Sequence, residues 1–96
     1  MALVTYQVTL GAAATQLTAT RKSVRMLAFA PGAHDYYVGK SDVDSTHGVK
    51  VPVPAANVPY QYLYIGPFSG DGPCNANEFY LSGTQNDVIQ VLAITQ

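Results

Sequence analysis

Charge is scarce in this sequence: Asp, Glu, Lys and Arg make up 11% of the 96 residues, under half the roughly 25% of an average soluble domain. A surface so poor in ionic groups is built from Ser, Thr, Gln, Asn, Gly and backbone, which suits packing against neighbouring protein. The 5 basic and 6 acidic side chains leave a net charge of −1. That supplies neither the basic footprint that nucleic acid requires nor a polybasic patch for anionic lipid, so neither is expected as a partner. There is 1 cysteine, Cys74, which excludes an internal disulfide framework and points to a reducing compartment or one where redox poise is irrelevant. Missing too is any apolar run near the roughly 20 residues needed to cross a bilayer as a helix. The opening Met1-Ala2-Leu3-Val4-Thr5-Tyr6 has no cationic segment or cleavage site of a secretory signal.

Apolar residues nevertheless reach 48%, with 7 tyrosines among them, so the chain has enough to bury and is expected to form one domain over residues 1–96. Its patterning is that of strands. Val4, Tyr6, Val8 and Leu10 alternate with Thr5, Gln7 and Thr9, the period of a half-buried strand. Residues 15–19 predict a short second strand, because Ala12-Ala13-Ala14 is followed by threonines and lacks a helical stripe or cap. Residues 24–30, apolar but for Arg25, run to Pro31-Gly32, which predicts a central strand buried on both faces and then a turn. Residues 35–38 predict another strand, and residues 40–48 a polar loop.

Val49, Val51 and Val53 alternate with Lys50, Pro52 and Pro54, which places this segment at a sheet edge where a missing amide donor does no harm. In residues 60–65, Tyr60, Tyr62 and Tyr64 share one side and Leu63 and Ile65 the other. Residues 66–77 predict the longest irregular connection, and residues 78–81 and 87–95 two strands whose five-residue spacer fits a hairpin. Seven to eight short strands at this spacing, with no credible helix, predict an all-β fold: a small antiparallel β-sandwich or jelly roll.

Candidate chemistry is thin. His34, Asp35, Asp42, Asp44 and His47 lie within one stretch, but their spacing matches no metal-ligand register, and the twelve-residue calcium loop's glycine and terminal glutamate are missing. Cys74 paired with His34 or His47 would make a nucleophile and base, yet neither a phosphate loop, a nucleophile elbow nor a paired-carboxylate motif accompanies it. No catalytic residue, cofactor or metal is therefore assigned, and the protein is expected not to be an enzyme. The residues nominated for partner contact are Tyr60, Tyr62 and Tyr64, an aromatic row whose outward or inward direction alternation leaves open, and Arg21, Lys22 and Arg25, which hold most of the positive charge in five residues and suit an acidic surface.

Three segments in order, Val8-Thr9-Leu10-Gly11-Ala12 with Gln16-Leu17-Thr18, Tyr37-Val38-Gly39-Lys40-Ser41-Asp42-Val43, and Asp87-Val88-Ile89-Gln90-Val91-Leu92-Ala93-Ile94, resemble small virion proteins of tailed bacteriophages. The chain departs from that pattern at Pro52 and Pro54 and in residues 66–77. The resemblance implies a β-sandwich or jelly roll and a capsid-decoration (cement) role: a protein made in the bacterial cytoplasm that binds the major capsid protein on the outer surface of the virion, alongside copies of itself as a dimer or trimer. It also leaves open a carbohydrate- or receptor-binding module of a tail fibre or spike, and a small tail or neck component. A partner is expected to dock on folded surface or add to a sheet edge.

Overall fold

The computed structural model describes residues 2–54, 61–66 and 74–95. Nine strands appear in it: β1 (Ala2–Thr9), β2 (Thr15–Gln16), β3 (Ser23–Phe29), β4 (Tyr36–Gly39), β5 (Val49–Val51), β6 (Leu63–Ile65), β7 (Cys74–Asn75), β8 (Tyr80–Ser82) and β9 (Val88–Thr95), with a single 3-10 turn at Ala76–Glu78. They make two antiparallel sheets. The first runs β1-β9-β3-β6 with β7 also on β3, and the second β2-β8-β4-β5.

The connectivity has a simple origin in two bent ribbons. β1 pairs β9 from Ala2↔Thr95 to Thr9↔Val88, and β2 pairs β8 at Thr15↔Leu81 and Gln16↔Tyr80. Between them the Leu10 amide donates to Asp87 at 2.8 Å and the Asn86 amide donates to the Leu10 carbonyl at 2.8 Å. One continuous ribbon therefore crosses from the first sheet to the second. A second ribbon does the same, with β3 on β6 and β4 on β5. Two such ribbons side by side are the jelly-roll arrangement.

The predicted hairpin between residues 78–81 and 87–95 is corrected by this geometry. β8 and β9 lie in different sheets, and the connection between them turns with Asn86 in the left-handed region at φ 74°, a conformation Asn tolerates better than most residues. Other segments shift less. The second strand is shorter than expected, although Leu17 still donates from its amide to Phe79 at 2.9 Å. The end of the predicted 66–77 connection carries β7 and the 3-10 turn. Ala12-Ala13-Ala14 forms no helix; Thr15 Oγ1 instead accepts from the Gly11 amide at 2.9 Å, a local bond that competes with helix formation.

Side chains from both sheets fill the space between them: Val24, Leu27, Phe29, Ile89, Val91 and Ala93 from the first, and Tyr36, Val38, Val51 and Leu81 from the second. β9 shows why alternation predicts this so well. Its Ile89, Val91, Ala93 and Thr95 are buried, while Val88, Gln90 and Leu92 face out. β3 is central as expected, with Leu27, Ala28 and Phe29 buried in succession. β5 is an edge, followed by Pro52 and Pro54. The turn leading into it requires glycine: Gly48 has φ 154°, and a Cβ there would lie 2.9 Å from the Val38 carbonyl oxygen and 2.7 Å from Val43 Cγ2.

Candidate functional site

The strand registers assign the outward side chains of the first sheet. Leu3, Ile94 and Met26 form one row, and Thr5, Leu92, Ala28 and Tyr64 the next. Gln7 and Gln90 pair beyond them, then Thr9 and Val88. The exposed apolar members include Leu3 at 67%, Tyr64 at 61%, Tyr62 at 46% and Leu92 at 37% of full accessibility. Inward of the same edge, Leu63 and Ile65 pack against the core, which answers the question that alternation leaves open: the tyrosine side of residues 62–65 is the outer one. Tyr62 and Tyr64 lie ring to ring, with centroids 6.2 Å apart and planes 27° apart.

Among the described residues, one charged side chain, Arg25, occurs in the strands of this sheet. A register shift between Val24 and Met26 on β9 marks a bulge there. Val24 and Leu27 are both fully buried, so the extra residue leaves Arg25 and Met26 in succession between two inward positions. Arg21 and Lys22 are exposed just before β3, and the Lys22 carbonyl accepts from the Ala76 amide at 2.8 Å. The three nominated cations thus flank one corner of the face. Tyr62 and Tyr64 belong to its β6 margin, and Tyr60 lies outside the described residues.

The other charges gather in loops and on the second sheet, and several of them pair with one another. His34 Nδ1 is 2.8 Å from Asp87 Oδ2, and Lys50 Nζ is 3.3 Å from Asp35 Oδ2, whose partner oxygen accepts from the Val53 amide at 2.7 Å. Those contacts, the Val53 amide first, lower the Asp35 pKa. Asp44 Oδ1 accepts from the Thr46 hydroxyl and amide and from the His47 amide, each at 2.8 Å, and these bonds hold its carboxyl well below the ordinary range. In the stretch that reads as a possible cluster, His34 pairs with Asp87, Asp35 with Lys50 and Asp44 with His47, and no group of three His, Cys, Asp or Glu side chains suited to a metal occurs among the described residues.

Cys74 sits on β7 opposite Val24, at the start of β3, whereas His34 follows the far end of that strand. Burial and the nearby Glu78 raise the thiol pKa, the reverse of what activates a nucleophile. Of the remaining tyrosines, Tyr36 is fully buried and donates its hydroxyl to the Ala30 carbonyl; burial pushes its pKa above the ordinary value. An apolar groove of about 570 Å³ lies among Val38, Val49, Ile65 and Phe79, with Lys40 and Glu78 also lining it. Neither histidine nor Cys74 borders it.

No protein-family model, curated protein or solved structure matches the chain. The outer face and its tyrosine margin are the features with the most to offer a partner. Sequence reasoning located the tyrosines but not the Leu3, Ile94 and Leu92 rows beside them, because those residues come from strands at opposite ends of the chain and only the β1–β9 register joins them.

Proposed function

We propose that the chain is a non-enzymatic structural subunit that lays the outer face of its first sheet on a protein lattice, as a decoration protein on the major capsid protein shell of a tailed phage. The observation that carries this reading is the face itself: apolar and amide or hydroxyl side chains across four strands with charge confined to Arg25. Depletion of charge at the centre with polar groups around it is the composition of protein–protein contact surfaces. Strands of eight, eight, seven and three residues at about 3.4 Å per residue and about 4.8 Å apart give a footprint of about 400 Å². That is smaller than the roughly 800 Å² per partner of a standard stable interface, a size suited to a contact repeated many times on an array rather than to one tight pair.

Binding to the mature shell alone would stabilise that state by mass action. Arg21, Lys22 and Arg25, at the rim, favour approach to an acidic surface and act mainly on the association rate. The test uses shells without this protein, the same shells with wild-type protein, and with Leu92→Lys or Tyr64→Lys protein. The wild-type complex is expected to withstand heating to a higher temperature, with the variants matching bare shells. A common disruption temperature for all of them refutes the proposal.

A second reading rests on Tyr62 and Tyr64, whose exposed, nearly parallel rings offer stacking surface to a sugar ring. It makes the chain a carbohydrate- or receptor-binding part of a fibre or spike. Glycan-array binding that disappears in Tyr64→Ala supports it, and blank arrays remove it.

A further inference from the structure

β1 is the outermost strand of the first sheet, and among the described residues only β9 pairs with it. Its sequence, ALVTYQVT, contains none of the devices that proteins place on such an edge to prevent further pairing, namely proline, charge, a bulge or shortness. The opposite edge of the molecule differs: β5 is a three-residue strand, carries Lys50 and runs into Pro52 and Pro54.

The hydrogen bonds show which main-chain groups of β1 face away from β9 and have no partner among the described residues. Leu10 directs both its amide and its carbonyl toward the β9 side, to Asp87 and Asn86. Alternation then turns Val8, Tyr6, Val4 and Ala2 toward β9, and turns Leu3, Thr5, Gln7 and Thr9 outward. The neighbouring ladder agrees independently. Ala30 donates to the Gln90 carbonyl, so the even residues of β9 face β3 and its odd residues face β1, where Ile89 pairs with Val8. Leu3, Thr5, Gln7 and Thr9 are all exposed.

We infer that β1 pairs antiparallel with β1 of a second copy of this chain about a twofold axis centred on Tyr6. That register sets Leu3 opposite Thr9 and Thr5 opposite Gln7, so each outward-turned residue meets another and roughly eight main-chain hydrogen bonds form. Inward residues meet inward residues as well, Val4 against Val8 and Tyr6 against Tyr6, which keeps both hydrophobic faces on the core side. A second copy fits better than an unrelated strand because the segment is self-complementary in this register and contains no like charges to oppose each other. The twofold axis stands perpendicular to the sheet, so the two outer faces, whose one strand charge is Arg25, become one continuous surface. The pairing does not depend on what that surface binds.

The experiment is sedimentation of the whole chain over a concentration series, with amide exchange followed residue by residue. Wild-type protein is expected to be a dimer in which the amides of Leu3, Thr5, Gln7 and Thr9 are protected as strongly as those of Val4, Tyr6 and Val8, the former losing protection on dilution. Thr5→Pro removes an outward amide from each copy while sparing the bonds to β9, and is expected to weaken dimerisation about 10- to 100-fold. Gln7→Lys, which adds an exposed charge to the edge and leaves the core untouched, serves should the proline variant fail to fold, and is expected to favour the monomer. A wild-type monomer at tens of micromolar, or a dimer whose outward β1 amides exchange freely, overturns the inference. Neither outcome bears on whether the outer face docks on shells, which the Leu92→Lys comparison reads separately.

Discussion

Replacing Tyr36 with phenylalanine deletes one oxygen from the interior, and the structure fixes what that should cost at each pH. The ring is fully buried and keeps its packing in the variant; what is lost is the hydroxyl's bond to the Ala30 carbonyl, which ties the start of β4 back to the end of β3. A lost bond that leaves a partly buried acceptor unpaired costs about 1–2 kcal/mol, and each kcal/mol lowers the unfolding temperature of a domain this size by roughly 4–8 °C. Raising the pH should erase the difference. In the unfolded chain the phenol ionises near its ordinary value of about 10, whereas in the folded protein burial holds the proton to higher pH. Above that value the unfolded chain binds fewer protons than the folded one, so wild-type stability falls by about 1.4 kcal/mol per pH unit through this group. Tyr36→Phe has no such loss, and its curve should meet the wild-type curve near about pH 11. Urea titrations of both proteins from pH 7 to 11.5 measure the gap directly, because every other titrating group is common to the two. A gap that is absent at pH 7, or that persists unchanged to pH 11, refutes the assignment of the Tyr36 hydroxyl.

Gly48→Ala should destabilise by about 1–3 kcal/mol in thermal unfolding, since it places a side chain at φ 154° and against the Val38 backbone. Gly11→Ala, where a Cβ meets only Thr15 Oγ1 at 3.4 Å, should change stability by no more than about 0.5 kcal/mol. Asp44→Ala should flatten the acid limb of the stability curve: the carboxyl pKa is lowered in the folded protein, so its contribution is present above the unfolded value of about 4 and is lost as pH falls. Unfolding midpoints compared between pH 7 and pH 2 read this as a gap between wild type and variant that narrows in acid.

Where a face is half buried, the sequence is a reliable guide. β1 and β9 are legible as strands because Val4, Tyr6 and Val8, and Ile89, Val91 and Ala93, recur with period two, and the prolines after Val51 mark an edge without any structure. The assignment of β8 and β9 to different sheets is not legible. A five-residue spacer serves a hairpin or a sheet crossing equally, and the deciding bonds come from Leu10, far away in the chain. The bulge at Arg25 is hidden for a related reason, since a bulge shows only against the register of a partner strand. The tyrosine row was legible as a row, but its outward direction follows from Leu63 and Ile65 having a core to enter, which is a property of the packed sandwich.

The β1–β9 ladder also sets the order of events in assembly of the molecule itself. Ala2 pairs with Thr95 and Thr9 with Val88, so the strand that leaves the ribosome first among the nine waits for the one that leaves last. β3 waits as well, because its long partner is that same β9. Contacts of such sequence separation make folding slow and leave apolar strands without partners while the chain is being made. During that interval β1 is a ready template for another nascent copy, so the rate at which β9 becomes available governs the competition between a closed sandwich and an aggregate.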